Sequence, residues 1–195
     1  MRIIAGSAKG KTLVSPPDTR TRPTSDRARE GLFSSLESEF SSIQGLHFLD
    51  LFAGSGAVGV EALSRGASVV HSVESDVAME SIALKNFQSI KLSDGMYRVF
   101  LTKSERFLLS DYAAEKGQYD IIFMDPPYEL QNKFIEELIE VIQNRALLSP
   151  RGIIAIERKS KSSPFTWPHG MEEIKVRSYG LGSIFYGGYS ASVLP

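Results

Sequence analysis

The chain has 195 residues, of which 42% are apolar and 23% charged, with a formal net charge of −1; that suits a single soluble α/β domain with a sizeable core plus a short extension. It has no cysteine, which excludes disulfides, thiolate ligands and cysteine nucleophiles and fits a reducing cytoplasm, and His47, His71 and His169 share no metal-ligand spacing, so no metal is expected. No apolar run approaches the ~20 residues that cross a bilayer, and residues 1–6 hold too short an apolar stretch for a secretory signal.

Residues 2–5 and 11–14 predict a small hairpin around Gly6-Ser7-Ala8-Lys9-Gly10. Pro16-Pro17 and Pro23 then mark a loop. Thr24 suits a helix N-cap, Asp26 suits the first turn, and Ala28, Leu32, Leu36 and Phe40 recur every four residues, as on an amphipathic helix ended by Gln44-Gly45. Residues 1–30 carry seven basic and three acidic side chains, a net +4, and Glu157-Arg158-Lys159-Ser160-Lys161 forms a second basic cluster. Together they suit a phosphate-contacting rim, although on charge alone a solvated surface is the better reading.

From His47 onward strand and helix patterns alternate. Strands are expected at 47–52, 68–74, 97–101, 119–124 and 153–157, with helices at 58–65, 76–90, from 104 onward, and at 131–147. Such alternation predicts a parallel, doubly wound sheet with helices on both faces. Residues 172–179 and 183–189, joined by Gly180-Leu181-Gly182, read as an antiparallel hairpin on the sheet edge. The chain therefore divides into an extension, 1–44, and an α/β domain, 45–195.

Two motifs carry chemistry. Asp50-Leu51-Phe52-Ala53-Gly54-Ser55-Gly56-Ala57-Val58-Gly59 places Gly54, Gly56 and Gly59 in the G-x-G-x-x-G pattern between a strand and a helix. Glu74 closes the second strand, where a carboxylate suits a ribose diol. Asp50 beside the glycines would repel a pyrophosphate but suits a cationic ligand. The second motif, Asp125-Pro126-Pro127-Tyr128, follows the apolar strand 119–124. Proline cannot extend a hydrogen-bond ladder and keeps the residue before it extended. A carboxylate, free carbonyls and an aromatic face at one strand end make a cradle for a planar amine.

With these motifs the sequence resembles S-adenosylmethionine-dependent methyltransferases that act on exocyclic amino groups, and more narrowly the RsmD family of bacterial small-subunit (16S) ribosomal RNA guanine-N2 methyltransferases. The narrower resemblance rests on Arg2-Ile3-Ile4-Ala5-Gly6, Thr21-Arg22-Pro23-Thr24-Ser25-Asp26-Arg27 with Glu30, Glu61-Ala62-Leu63-Ser64-Arg65-Gly66-Ala67, the Asp-Pro-Pro-Tyr strand end, and Tyr179-Gly180. It implies a Rossmann-like methyltransferase fold with a mostly parallel seven-stranded sheet. It implies S-adenosylmethionine as cofactor, held by Asp50, Ala53, Gly54, Ser55, Gly56, Glu74 and Ser104. Ser104 enters because Lys103 stands where the family often carries an adenine-contacting Asp or Asn. It implies Asp125, Pro126 and Tyr128 as the catalytic set, with Asp125 and the Pro126 carbonyl accepting the amine hydrogens and Tyr128 stacking on the base. It also implies an RNA partner, either ribosomal RNA or a small-subunit assembly particle; on the charge of residues 1–30, Arg20, Arg22 and Arg27 are the candidates to grip its phosphates, with Arg22 reaching the cofactor carboxylate or a salt bridge to Asp26 or Glu30 as the alternatives. The competing readings are an adenine-N6 or glutamine-N5 methyltransferase, a nicotinamide-dependent oxidoreductase, and a catalytically silent RNA-binding module.

Overall fold

Apolar side chains alternate between the two faces of adjacent strands, so both faces must be covered. In the computed structural model, which describes residues 1–16, 26–90, 96–160 and 165–192, thirteen elements do this. They are α1 (Asp26–Phe40), β1 (His47–Asp50), α2 (Ala57–Ser64), β2 (Val69–Glu74), α3 (Val77–Ser89), β3 (Tyr97–Leu101), α4 (Ser104–Leu108), α5 (Asp111–Glu115), β4 (Tyr119–Met124), α6 (Asn132–Asn144), β5 (Leu148–Lys159), β6 (Met171–Tyr179) and β7 (Gly182–Tyr189). The seven strands form one sheet in the order β3-β2-β1-β4-β5-β7-β6. The first five run parallel; β7 pairs antiparallel with β5 and with β6. The order changes direction at β1, the switch point where α/β sheets open a crevice at the carboxyl ends of their strands.

Phe48, Ile121, Phe123, Ile153, Ala155, Ile184 and Tyr186 share one core with α1, α2 and the Phe87 ring of α3. Their neighbours Leu49, Ile122, Met124, Ile154, Ile156 and Phe185 enter a second core with α4, α5 and α6. This period-two division is the pattern of a sheet buried on both sides. His71 belongs to the second face. Its Nδ1 lies 2.7 Å from the Tyr119 hydroxyl, and burial, then Lys116, His47 and Arg98, lower its pKa to about 4, which keeps it neutral at physiological pH.

Several elements differ from the sequence expectation. The N-terminal hairpin forms only as a short one, a single antiparallel bridge from Arg2 to Thr12 with the Ile3 amide donating to Lys11, the Gly10 amide to Ile3 and the Leu13 amide to Met1. The hairpin is also drawn against α2: Gly6, at φ +81°, approaches so closely that a Cβ on it would lie 1.8 Å from the Ser64 carbonyl oxygen. β5 starts at Leu148, before Pro150, because the ladder slips between Tyr119 and Ile121, which pair with Leu148 and Ile153, leaving residues 149–152 as a bulge; a bulge is where a strand accommodates proline. The short helix α5, capped by Ser110, was not anticipated. Thr24, the expected cap of α1, lies outside the described residues.

The N-terminal segment joins the first core through Ile3 and Leu13, and a buried carboxylate fastens it there. Glu61 on α2 accepts hydrogen bonds from the Ile4 and Ala5 amides at 2.8 and 2.9 Å and from Arg65 Nε at 2.9 Å, and lies 3.9 Å from Arg29 Nε. Glu61 and Arg29 are both fully buried. Removing one partner from a buried pair strands the other, at a cost of about 3–5 kcal/mol. Glu61→Gln is therefore expected to lower the unfolding free energy by about 3 kcal/mol in chemical denaturation. A loss below about 0.5 kcal/mol, the scale of a neutral surface change, would show that the clamp contributes little.

Candidate active site

Three carboxyl groups meet where β2, β1 and β4 end. Asp50 closes β1 opposite Ser72 and Phe123, and Glu74 and Asp125 stand two residues beyond those partners. The chain leaving β1 is tied to both neighbours: the Leu51 amide donates to the Phe123 carbonyl and the Ala53 amide to the Val73 carbonyl. Gly54 and Gly56 then adopt positive φ, +52° and +74°, which glycine reaches without a Cβ penalty. Space is open where a Gly54 Cβ would point, whereas a Cβ on Gly59 would press to 2.8 Å from the Phe87 ring. The first glycine thus leaves room for a ligand, and the last lets α2 pack against its neighbours.

Glu74 sets the shape of this loop. Its carboxylate accepts from the Gly54, Ser75 and Asp76 amides, each at 2.7 Å. Asn86 holds the far side: it donates to the Ser55 carbonyl at 2.9 Å while exchanging two hydrogen bonds with the Val14 backbone. Ser104 is buried and gives its hydroxyl proton to the Leu51 carbonyl at 2.6 Å.

Asp50 is only 1% exposed, and its Oδ1 has no hydrogen-bond partner. Burial raises its pKa from 3.8 to about 8, with further upward contributions from Asp125 and Glu74 against one backbone hydrogen bond from Phe52. An unpartnered acceptor beneath the glycine loop fits a cationic or hydrogen-bonding ligand, which would lower that pKa again.

Beyond β4, Asp125 is half-buried, Pro126 buried, and Pro127 and Tyr128 exposed. The Tyr128 hydroxyl faces the start of β7, where a Cβ on Gly182 would lie 3.5 Å from it. Arg158, assigned by sequence to a surface basic cluster, is instead buried, at 4% exposure. It donates to the carbonyls of Pro127 at 3.0 Å, Tyr128 at 3.3 Å and Leu130. The sequence signal for this role is an arginine two residues past Ile156 in an otherwise buried strand. Arg29, counted in the N-terminal charge, is likewise buried and bonded to Asp26 and the Arg2 carbonyl. Arg27 is exposed and lines a cleft with Arg2, Lys9, Asp26 and Glu30. Arg20 and Arg22 lie outside the described residues. Phe185 and Tyr186 are buried as hairpin packing. Among the described residues no group of His, Asp and Glu is arranged to hold a metal, and no helix is long and apolar enough to cross a membrane.

Known proteins share this architecture. A solved Escherichia coli structure described as the methyltransferase yhhF superposes with a TM-score of 0.82 at 32% identity, covering 98% of each chain. The Haemophilus influenzae methylase HI0767 superposes at 0.73 with 31% identity, covering 95% of this chain and 96% of that one. By sequence, the ribosomal RNA small subunit methyltransferase D of E. coli K12 is 34% identical over 179 residues, 89% of this chain and 84% of the relative. The glycine loop, its glutamate and the Asp-Pro-Pro-Tyr strand end, set on this sheet, define a Rossmann-like S-adenosylmethionine-dependent methyltransferase. Within that class the profile of the family described as conserved hypothetical protein 95 matches residues 1–187. The chain belongs to that family, the RsmD family.

Asp50 generates a prediction without any ligand. Because its folded pKa lies above its unfolded one, the folded protein keeps a proton that the unfolded chain releases. The associated stability is full below about pH 4 and is lost as pH rises toward 8. Asp50→Asn removes this titration. It should flatten the pH dependence between 4 and 8 and stabilise the ligand-free protein at pH 8 by ~2–4 kcal/mol. Urea unfolding at pH 5, 6.5 and 8 checks this; a variant less stable than the parent at pH 8 would contradict it.

Proposed function

We propose that this chain methylates the exocyclic N2 of a guanine in small-subunit ribosomal RNA, in the cytoplasm, on the RNA itself or an assembling particle. The observation that carries the reading is the Asp125-Pro126-Pro127-Tyr128 strand end beside the glycine loop, one strand from Asp50. The RNA substrate is supported by relatives named ribosomal RNA small subunit methyltransferase D.

S-adenosylmethionine supplies an electrophilic methyl group on a sulfonium. Its holders would be Ala53, Gly54, Ser55 and Gly56 along the open loop, Glu74 beside them, and Asp50 beneath, whose free acceptor suits a cation. Ser104 has spent its proton on Leu51, so it would offer a ligand only its lone pairs.

A guanine amine is a weak nucleophile because its lone pair is delocalised into the ring. The Asp125 carboxylate and the Pro126 carbonyl would accept its two N–H hydrogens, fix its direction and favour a more tetrahedral nitrogen. Holding reactants in a near-attack geometry is worth up to ~7–11 kcal/mol in the best-oriented cases. Asp125 would then take the proton that the methylated nitrogen sheds. Tyr128, 38% exposed at the mouth, would stack on the extruded base, a contact worth ~1–3 kcal/mol. Base extrusion is needed because a stacked base cannot enter such a pocket. Arg27, with Arg2 and Lys9 around its cleft, and Arg20 and Arg22 would grip RNA phosphates.

Asp125→Ala is expected to lower methyl transfer to small-subunit RNA by at least a hundredfold, while S-adenosylmethionine affinity stays within about tenfold, because the amine-holding role exists only with substrate. Labelled methyl transfer, calorimetry, and mass analysis of the digested product test this together. Turnover near the parent level would remove Asp125 from catalysis, and N6-methyladenosine in the digest would overturn the choice of base.

A further inference from the structure

We infer that Arg158 is a positioning residue for methyl transfer: from β5 it sets the conformation of the loop that carries the amine-accepting groups. The inference rests on the reading of Asp125 and Pro126 just given, and adds a residue that touches neither cofactor nor substrate.

The register explains why Arg158 reaches the loop. Met124, the last residue of β4, pairs with Ile156 on β5. Arg158 lies two residues further on, beside the point where Pro126 and Pro127 halt the β4 ladder. The β4–β5 ladder ends at Met124 and Ile156, where proline cannot extend it. Beyond it, Arg158 donates to the carbonyls of the loop. One terminal nitrogen bonds the Pro127 carbonyl and the other bonds those of Tyr128 and Leu130. Pro127 also accepts from the Leu130 amide at 3.0 Å, which closes the turn. One rigid guanidinium thus spans the backbone from Pro127 to Leu130.

The site is built rather than incidental. Arg158 is 4% exposed. Burial lowers its pKa, and the neighbouring acidic groups of Tyr128, Asp125 and Glu129 oppose that shift. On its other side β5 pairs Arg158 with Ser183 of β7, so the guanidinium hangs from a backbone held in the β5–β7 ladder. Lysine offers a single ammonium in place of this fork and cannot hold the same set of carbonyls. A misplacement of about 1 Å in such a loop can cost roughly a hundredfold in rate.

The test uses the full-length protein carrying Arg158→Lys, with Arg158→Ala as a second variant. For Arg158→Lys, kcat on small-subunit RNA should fall by about 10–100-fold, while KM for RNA and Kd for S-adenosylmethionine change less than about threefold. Millimolar guanidinium should restore part of the kcat of Arg158→Ala but none of that of Asp125→Ala. If Arg158→Ala does not fold, the kcat and KM split of Arg158→Lys decides alone. Unchanged kcat in Arg158→Lys would overturn the inference, and a raised KM with unchanged kcat would assign Arg158 to RNA binding instead. The two readings fail separately: full activity of Asp125→Ala removes the proposed chemistry, whereas an inactive Asp125→Ala beside a fully active Arg158→Lys removes only Arg158.

Discussion

Three carboxyl groups at neighbouring strand ends repel one another, and burial makes that repulsion worse. Much of the local structure answers this constraint, differently for each group. Glu74 is surrounded by three backbone amides, which the positive-φ turn at Gly54 and the start of α3 aim at it. Asp50 cannot be surrounded in this way, since its Oδ1 is buried without a partner, and it holds a proton instead. Asp125 stands within the field of the Arg158 guanidinium. A ligand bearing positive charge would relieve the remaining strain, so the arrangement that costs stability in the free protein is one that favours a cation.

The N-terminal segment is part of this arrangement. Asn86 bonds the Val14 backbone on one side and the Ser55 carbonyl on the other, so a single side chain fixes both the extension and the glycine loop. Glu61 does the equivalent work one helix away, at Ile4 and Ala5. The segment before residue 17 shares a core with α1, α2 and the sheet. The exposed cations Arg2 and Lys9 of this segment, and Arg27 of α1, line one cleft and are carried on elements anchored in that core.

The sheet was legible in the sequence because its signals are periodic. Phe123 and Met124 point to opposite cores, and Gly54, Gly56 and Glu74 occupy the places their spacing implied. The seven-stranded count and the methyltransferase class came from the resemblance and agree with the structure. What the sequence concealed were matters of burial and local competition. Arg29 and Arg158 counted as surface charge, since a tally of basic residues carries no information about which of them the fold encloses. Ser149-Pro150 read as the end of the helix over 131–147, because a bulge that shelters a proline within a strand leaves no mark in the residue pattern. The 2–5 and 11–14 runs do pair, through the Arg2–Thr12 bridge and the backbone bonds beside it, but nothing local announced that Glu61, remote in sequence, would take the Ile4 and Ala5 amides. Ser104 and Asn86 are polar residues in apolar surroundings, a pattern that marks them but does not say which backbone groups they serve.

The insertion of β7 between β5 and β6 has a consequence for how the molecule comes into being. β5 can pair with β4 as soon as both are made, but its other edge stays bare until residues 182–189 have left the ribosome. An exposed run of Ile153, Ile154 and Ile156 beside a bare edge is a template for wrong pairing between nascent chains. Arg158 sits on that same unfinished strand. Maturation of the loop beyond Asp125 is thus tied to synthesis of the terminal hairpin, and a chain stalled before β7 would carry its strand-end carboxylates without the edge strand that completes their support.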